Sequence, residues 1–324
     1  MSALDEIKLP VNGELEKFES FFRKAVHSDI SLLNIILNYL LRTKGKQIRP
    51  LFVFLSAKMH GEICENTFWA ATAIELLHSA SLIHDDVIDE SYERRGAFSI
   101  NALWKNKVAV LTGDFLLAKG LLISIEHKEY DMLEIVSSTT REMVEGELIQ
   151  FTKSRKLDID ESTYFEIIKK KTASLIGTSL AIGTRSVTSD QATIDKMREI
   201  GMLAGYAFQI KDDIFDYQEK GIIGKPTGND IKEKKITLPL IYVLNNSSAS
   251  EKRRILKIIQ KDNHRRDKVD ELIELVKREG GIEYATQKML YYSNEAKRLL
   301  ETFPPGEANR SMVKLIDYII TRKK

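Results

Sequence analysis

The sequence predicts an all-α protein that folds as a single domain over residues 1–324. Apolar side chains recur at helical spacing, as in Leu203, Ala207, Ile210 and Ile214, which are separated by steps of four, three and four. Short alternating apolar runs bounded by Asn-Gly or Asp-Gly turns, the usual signal of strands, are absent from the sequence. No internal repeat or Ser/Gly/Pro-rich linker divides the chain. We therefore expect roughly ten or more helices in one domain.

The same periodicity locates further helices along the chain. They are predicted at 30–41, 67–89, 131–151, 162–183 and 269–279. The chain has six prolines, which lie near predicted helix starts or in loops. The segment 220–235 is rich in glycine and lysine, and we interpret it as a long polar loop. Long loops in compact proteins are often functional, so this segment is a candidate lid.

Composition excludes several classes of protein. The 49 Lys and Arg residues nearly balance the 47 Asp and Glu residues, so the net charge of +2 gives no reason to expect nucleic-acid binding. The N-terminus lacks the pattern of a signal peptide, and the longest apolar region, 32–41, is too short to cross a bilayer. We expect a cytoplasmic protein with no transmembrane segment. Cys64 is the one cysteine, and we interpret it as a buried structural thiol.

Two separated acidic clusters carry the strongest chemical signal. The first contains Asp85, Asp86 and Asp89. The second has the same spacing and contains Asp212, Asp213 and Asp216. Steps of three and four place carboxylates on one helical face, and both clusters follow long apolar stretches. Each patch should therefore lie near the C-terminal end of a buried helix, where the helix dipole disfavours negative charge.

Such clusters need counter-ions. Two carboxylates about 5 Å apart repel by roughly 3 kcal/mol at an effective dielectric near 20. A solvated helix face could explain one cluster, but hardly two. Carboxylate oxygens suit magnesium, which takes one or two carboxylates together with water and substrate oxygens. Facing clusters would hold several ions that bind a diphosphate and stabilise it as a leaving group.

Basic residues accompany both clusters. Lys46 and Arg49 precede a proline that fits a helix N-terminus. Two cations beside free backbone N–H groups could bind a diphosphate, and a solvated basic pair is an equal alternative. Arg94 and Arg95 follow the first cluster, and arginine forks match phosphate geometry. Other polar residues lie at positions from which they could cover a bound diphosphate. Individually, each could be an ordinary surface or structural residue. These candidates are His78, Lys171, Thr172, Gln209, Lys225 and Lys235.

Taken together, the motifs resemble the trans-isoprenyl diphosphate synthase family, specifically its long-chain, octaprenyl-type polyprenyl diphosphate synthases. The resemblance extends from residue 45 to about residue 244. It rests on Gly-Lys-Gln-Ile-Arg-Pro, Leu-Ile-His-Asp-Asp-Val-Ile-Asp, Glu-Arg-Arg-Gly, Gly-Glu-Leu-Ile-Gln, Lys-Thr-Ala, Phe-Gln-Ile-Lys-Asp-Asp-Ile-Phe-Asp and Gly-Lys-Pro-Thr-Gly-Asn-Asp, which occur in family order.

The resemblance implies an all-helical fold around a deep central cavity, a homodimer, and three magnesium ions per active site. It implies that Asp85, Asp86, Asp89 and Asp212 coordinate magnesium on the allylic diphosphate, with Asp213 and Asp216 in support. The allylic diphosphate would be held by Arg94, Lys171, Lys225 and Lys235 with Thr172 and Gln209. Isopentenyl diphosphate would be held by Lys46, Arg49, His78 and Arg95.

The helix before Asp85 bears on product length. Small residues, Ala80 and Ser81, lie one turn before the cluster, and Leu77 lies a further turn away. In the family that the chain resembles, bulky aromatic residues here, or two extra residues in the motif, accompany short products, and both are absent. We therefore expect a long product made from farnesyl or geranylgeranyl diphosphate, with a twenty-carbon product as the alternative. Packing of these residues against a neighbouring helix would be the simpler explanation.

Other functions fit less well. A terpene cyclase of the same fold would normally replace the second cluster with an Asn/Asp, Ser/Thr, Glu pattern. A metal-dependent phosphohydrolase built on His84 and Asp85 would need further histidine ligands. A non-catalytic subunit of a heteromeric synthase typically loses one cluster, whereas this chain has both.

Overall fold

The computed structural model describes residues 2–43, 45–94, 96–218 and 228–322. The chain forms two compact units, and each combines separate stretches of sequence. The first contains Met1–Thr140, Leu175–Gly201 and Glu301–Leu315. The second contains Arg141–Ser174, Met202–Leu300 and Ile316–Lys324. The prediction of a single domain stays a prediction.

Helices account for almost all regular structure among the described residues, which confirms the predicted all-α class. In chain order they are α1 (Ala3–Lys8), α2 (Asn12–Ala25), α3 (Ser31–Arg42), α4 (Ile48–His60), α5 (Glu65–Ile88), α6 (Ile100–Glu126), α7 (Tyr130–Lys156), α8 (Glu161–Ile168), α9 (Ser174–Arg185), α10 (Gln191–Phe215), α11 (Asn229–Lys232), α12 (Leu238–Asn246), α13 (Ala249–Lys261), α14 (Arg266–Arg278), α15 (Gly281–Leu300) and α16 (Glu307–Thr321).

Three shorter elements complete the described structure. A 3₁₀ turn covers Leu9–Val11, and a π-helical segment covers Lys169–Ala173. The strands β1 (Glu93–Arg94) and β2 (Ala97–Phe98) form an antiparallel hairpin. The hairpin lies just after the first aspartate cluster, and it was not predicted, because its residues show no strand pattern.

The first unit is built around α5, which packs against α6 and α4. Phe18 of α2 contributes a buried aromatic contact to Phe54 of α4, with ring centroids 5.6 Å apart. Helix α9 approaches α4 closely, because a Cβ on Gly183 would lie 2.3 Å from the carbonyl oxygen of Val53. The hydroxyl of buried Ser56 then donates to the backbone carbonyl of Leu180 at 2.6 Å. This packing fixes the helix that ends in the first aspartate cluster.

In the second unit α12 packs against α15, α8 and α14. On the predicted apolar face of α10, Ala207, Ile210 and Ile214 are at most 2% exposed and Leu203 is half-buried, so the helical face is confirmed. Asp160 caps α8 by accepting a hydrogen bond of 2.8 Å from the backbone N–H of Thr163, as expected at a helix N-terminus. The buried face of α10 leads directly into the second aspartate cluster.

The helix predictions at 30–41, 67–89, 131–151 and 269–279 are confirmed by α3, α5, α7 and α14. The prediction of one continuous helix at 162–183 is wrong in one respect, because the π-helical segment interrupts it between α8 and α9. A π-helical turn inserts an extra residue while the apolar spacing on either side remains helical, so periodicity does not reveal it.

Two further expectations bear on the surface. Cys64 is exposed rather than buried, so the interpretation as a buried thiol is wrong; it lies at the N-cap of α5, a position that faces solvent. Helix α6 is long and apolar enough to span a membrane, and 39% of its most apolar window is buried. A buried core helix passes the same test, so this is weak evidence for a span.

Candidate active site

The first aspartate cluster lies at the C-terminal end of α5, as predicted. Asp85 and Asp86 are in the last turn, and Asp89 is the C-cap residue. Asp86 is only 4% exposed, Asp85 is half-buried and Asp89 is exposed. The three carboxylates therefore span a gradient from the protein interior to solvent.

Arg94 is held beside this cluster. Its Nε and Nη2 atoms lie 2.8 and 2.6 Å from Oδ1 of Asp86. Arg94 lies in β1, so the hairpin brings a predicted phosphate-binding arginine to a predicted metal ligand. Asn101, in the first turn of α6, donates to the backbone carbonyl of Asp86 at 3.2 Å. Asn101 is buried and was not predicted as a site residue, because an isolated Asn carries no motif.

The residues predicted to hold isopentenyl diphosphate have different environments. Arg49 lies in the first turn of α4 and is half-buried, whereas Lys46 precedes the helix and is exposed. His78 lies on α5 and is 7% exposed. Arg95 lies outside the described residues. The shared role of these four residues stays a prediction.

The second cluster begins in the last turn of α10 and is tied to three other elements of its unit. Asp213 accepts hydrogen bonds on both carboxylate oxygens. The Tyr164 hydroxyl of α8 donates to Oδ2 at 2.6 Å, and Nε2 of Gln209 donates to Oδ1 at 2.8 Å. The Oε1 atom of Gln209 accepts in turn from the Thr172 hydroxyl at 2.7 Å. A continuous hydrogen-bonded chain thus joins α8, α10 and the π-helical segment.

Burial dominates the electrostatics of this cluster. It raises the pKa of Asp213 to about 7, while the hydrogen bonds from Tyr164 and Gln209 oppose that rise and the charges of Asp212 and Asp216 add to it. The pKa of Asp230 is also raised by burial and by the neighbouring carboxylates, and Lys235 lowers it. Burial therefore disfavours the ionised form of these acidic groups, and bound cations would favour it.

Asp216 has a distinct structural role. Its two carboxylate oxygens accept from the backbone N–H groups of Asn229 and Asp230, at 2.9 and 3.0 Å. Its own carbonyl accepts from the N–H of Gly228 at 3.0 Å. Gly228 has a φ of 77°, a conformation that glycine adopts readily. Asp216 therefore caps α11 and holds residues 228–230, which lie in the middle of the segment predicted as a lid.

The π-helical segment carries Lys171 and Thr172. Lys171 forms an ion pair with Glu147 and donates to Oε1 of Gln150 at 3.2 Å. Glycine makes room for this segment, because a Cβ on Gly146 would lie 2.8 Å from the Cβ of Lys170. π-Helical turns often occur at functional sites, and here the turn places a lysine and a threonine together at the end of α8.

A pocket in the second unit collects several of the predicted residues. Lys171, Thr172, Gln209, Asp213 and Lys235 all line it. Unpredicted Tyr164 and Asp230 line it too, together with Gln150, Ile159, Ile167, Ile168, Ile236 and Thr237. A signal for Tyr164 did exist in the sequence, since it lies two helical turns before Lys171. Lys225, predicted to act here, lies outside the described residues, as do residues 220–227 of the candidate lid.

Asp212 pairs with a residue from the end of the chain. The Arg322 guanidinium contacts its carboxylate, and the Arg322 side chain is 13% exposed. The guanidinium carbon also lies 4.2 Å from the centre of the Phe208 ring, a cation–π arrangement. The sequence suggested the basic C-terminus only as a weak second candidate for a lid. The two residues after Arg322 lie outside the described residues.

The proposed product-length residues lie on α5. Leu77 and Ala80 are 4% and 2% exposed, and Ser81 is half-buried. The hydroxyl of Ser81 donates to the carbonyl of His78 at 2.8 Å. Helix α5 is packed against α4 and α6, so packing remains an alternative explanation for small residues here. Their control of product length stays a prediction.

The carboxylates of both clusters are hard oxygen donors one helical turn apart, a donor set that fits magnesium. Within the described ranges, no group of three or more His, Cys, Asp or Glu side chains is close enough to hold a metal ion alone. Magnesium usually takes one or two carboxylates and completes its octahedron with water and phosphate oxygens. The absence of such a group is therefore compatible with magnesium that is held by one or two carboxylates together with water and phosphate oxygens. The first cluster belongs to the first unit and the second cluster to the second, and their facing one another stays a prediction.

Comparison with known proteins identifies the family. Residues 30–276 match the model of the polyprenyl synthetase family. The heptaprenyl diphosphate synthase component 2 of Bacillus subtilis is 34% identical over 97% of this chain and 89% of its own length.

Two solved structures share the fold over nearly the whole chain. One is a polyprenyl synthase from Caulobacter crescentus complexed with calcium and isoprenyl diphosphate, with a TM-score of 0.92, 28% identity, and coverage of 99% of this chain and 98% of that one. The other is a geranylgeranyl pyrophosphate synthase from Bacteroides thetaiotaomicron, with a TM-score of 0.86, 34% identity, and coverage of 99% and 100%. The resemblance inferred from the motifs is thereby confirmed: the chain belongs to the polyprenyl synthetase family of prenyltransferases.

Proposed function

We propose that this chain condenses isopentenyl diphosphate with an allylic diphosphate, farnesyl or geranylgeranyl, to give a long-chain all-trans polyprenyl diphosphate. The observation that carries this proposal is the pocket of the second unit. Two lysines, Lys171 and Lys235, and the hydrogen-bonding pair Thr172 and Gln209 line it beside Asp213. Cations and hydroxyl or amide groups around one concave surface suit a diphosphate, and an acidic cluster beside them suits its metal ions.

Asp85, Asp86, Asp89 and Asp212 would hold three magnesium ions, and Asp213 and Asp216 would support them. When bound, magnesium neutralises the charge that develops on the departing diphosphate. Arg94, Lys171, Lys225 and Lys235 add positive charge to the same group.

The cationic residues favour breakage of the allylic carbon–oxygen bond, whose electron pair leaves with the diphosphate. The double bond of isopentenyl diphosphate supplies the electron pair of the new carbon–carbon bond. A proton is then lost from the adjacent carbon, and the double bond of the product forms. The described residues offer no obvious general base at the site, so we assign the proton to the released diphosphate.

Lys46, Arg49, His78 and Arg95 would orient isopentenyl diphosphate for this attack. Two reactants held in one geometry react far faster than free ones. Water must stay out, because it would capture the allylic cation, and segment 220–235 is the proposed lid. We also propose that the chain works in the cytoplasm as a homodimer, as the resemblance implies.

Two alternatives follow from the similar proteins. A geranylgeranyl product is the first, since one similar structure is named as a geranylgeranyl pyrophosphate synthase. Dependence on a second chain is the other, since one relative is named as component 2 of a heptaprenyl diphosphate synthase.

The test is to incubate the purified chain with magnesium, labelled isopentenyl diphosphate and farnesyl diphosphate, and to resolve the dephosphorylated products by length. A ladder that ends in one dominant long chain supports the proposal, whereas accumulation at twenty carbons favours the geranylgeranyl alternative. Failure to extend any five-, ten-, fifteen- or twenty-carbon primer would reject the synthase proposal for the isolated chain. It would favour a subunit that needs a partner.

A further inference from the structure

We propose that Tyr164 is a positioning residue for the allylic diphosphate: through Asp213 and Gln209 it fixes the orientation of the Thr172 hydroxyl. This inference rests on the proposed function, because Thr172 and Gln209 are there assigned to that diphosphate. It goes beyond it by giving a role to a residue outside the sequence motifs and by separating Asp213 from Asp212 in function.

The geometry of Asp213 is the first support. Its carboxylate is 4% exposed, and each oxygen already accepts a hydrogen bond from the protein. Tyr164, which is 3% exposed, donates at 2.6 Å, a length typical of a hydroxyl bound to a carboxylate. Asp212 in contrast pairs with Arg322, so neighbouring aspartates face different partners. Asp213 is thus held as an acceptor for Tyr164 and Gln209.

Direction of donation is the second support. The ionised carboxylate of Asp213 accepts only, so Gln209 turns its NH₂ group toward Asp213 and its carbonyl oxygen, Oε1, toward Thr172. Thr172 must then donate its single proton to Gln209. The Thr172 oxygen keeps its lone pairs for other partners, and the Gln209 amide is fixed in one orientation. Loss of the Tyr164 proton donor would leave a buried carboxylate undersatisfied and release this constraint.

The test is binding of a thio analogue of farnesyl diphosphate that resists ionisation, measured by titration calorimetry with magnesium present. Tyr164→Phe should weaken binding about tenfold, the effect expected for one hydrogen bond to a charged group. The Michaelis constant for the allylic substrate should rise while that for isopentenyl diphosphate stays within about twofold. Tyr206→Phe is the matched control, since Tyr206 lies on α10 in the same unit and its ring packs 4.8 Å from that of Tyr292.

A double-mutant cycle separates positioning from general stability. In a Thr172→Val background the endpoint of the network is gone, so Tyr164→Phe should weaken binding little further. Equal effects in the two backgrounds, or wild-type affinity in Tyr164→Phe, would overturn the proposal. If Tyr164→Phe does not fold, Asp213→Asn enters the same cycle in its place.

The binding readout also keeps this inference apart from the proposed function. Should the wild-type chain bind the analogue but extend no primer, the synthase proposal fails while the cycle still decides the role of Tyr164. Should the wild-type chain not bind the analogue at all, both proposals fail.

Discussion

Gly205→Ala should impair the proposed diphosphate site without contacting it. Gly205 lies on α10, one turn before Gln209, against the π-helical segment. A Cβ at this position would lie 2.5 Å from the Cα of Ala173 and 2.9 Å from its Cβ. Carbon atoms pack at about 3.5 Å, so the two elements must separate by about 1 Å. The Thr172–Gln209 hydrogen bond of 2.7 Å would then lengthen beyond hydrogen-bonding range.

The cost should appear in two measurements. Overpacking of this kind destabilises by about 1–3 kcal/mol, partly offset by the better helix propensity of alanine, about 1 kcal/mol. The melting temperature should therefore fall by only about 1–4 °C. Activity should fall much more, on the order of 100-fold, because misplacement by 1 Å is severe in an active site. Steady-state kinetics and differential scanning fluorimetry measure the two effects.

Two controls sharpen the result. Gly13→Ala lies in the first turn of α2, where a Cβ meets nothing within 4 Å; it should leave activity unchanged and raise the melting temperature slightly through the better helix propensity of alanine. Ala173→Gly combined with Gly205→Ala should fail to restore activity, because the nearest atom is the Cα of residue 173 and not its methyl group. Wild-type kinetics in Gly205→Ala would refute the claim that close packing of α10 on the π-helical segment sets the site.

Three further outcomes are expected. Ser81→Phe should shorten the dominant product by one or more isoprene units in the ladder assay, and an unchanged length would contradict a role for Ser81 in product length. Arg94→Lys loses the paired contacts to Asp86 but keeps the charge, so the turnover number should fall about tenfold or more, with Arg141→Lys, an exposed pair, as control. In metal-free protein, burial raises the pKa of Asp213 from its ordinary value of 3.8 to about 7. Between these pH values the folded state holds a proton that the unfolded state has released. The stabilisation from this shift is complete below about pH 4 and is lost as pH rises through about 7, and it amounts to about 4 kcal/mol at most. Asp213→Asn should flatten this part of the melting-temperature profile, and an unchanged slope would contradict the assignment.

The sequence predicted well those features that arise from regular spacing. The apolar faces of α5 and α10 have a helical period, and their charged ends follow from the positions of the aspartates. Both clusters therefore lie where expected, at helix C-termini. Some of the residues that line the pocket of the second unit were predicted by motif, and Lys171, Thr172 and Gln209 do come together there.

Features that depend on one extra residue or on distant contacts were not predictable in this way. The π-helical segment leaves the apolar spacing intact on either side, so it is invisible to periodicity. The contact between Arg322 and Asp212 joins residues 110 positions apart. A basic C-terminus has no preferred partner in the sequence, because most surface cations are simply solvated. The tertiary fold brings Arg322 to Asp212 and to the Phe208 ring.

The second cluster shows why a motif identifies chemistry better than it assigns roles. All three aspartates have the same side chain and share one motif, yet the fold gives each a different partner: Arg322 for Asp212, Tyr164 and Gln209 for Asp213, and backbone N–H groups for Asp216. A carboxylate with both oxygens bound to protein donors has less capacity left for a metal ion. The metal-binding capacity of this cluster should therefore be concentrated in Asp212, whose present partner is a cation that another cation can replace. The spacing of the motif brings the three carboxylates to one helix end. The surrounding structure then gives each carboxylate different partners and therefore a different role.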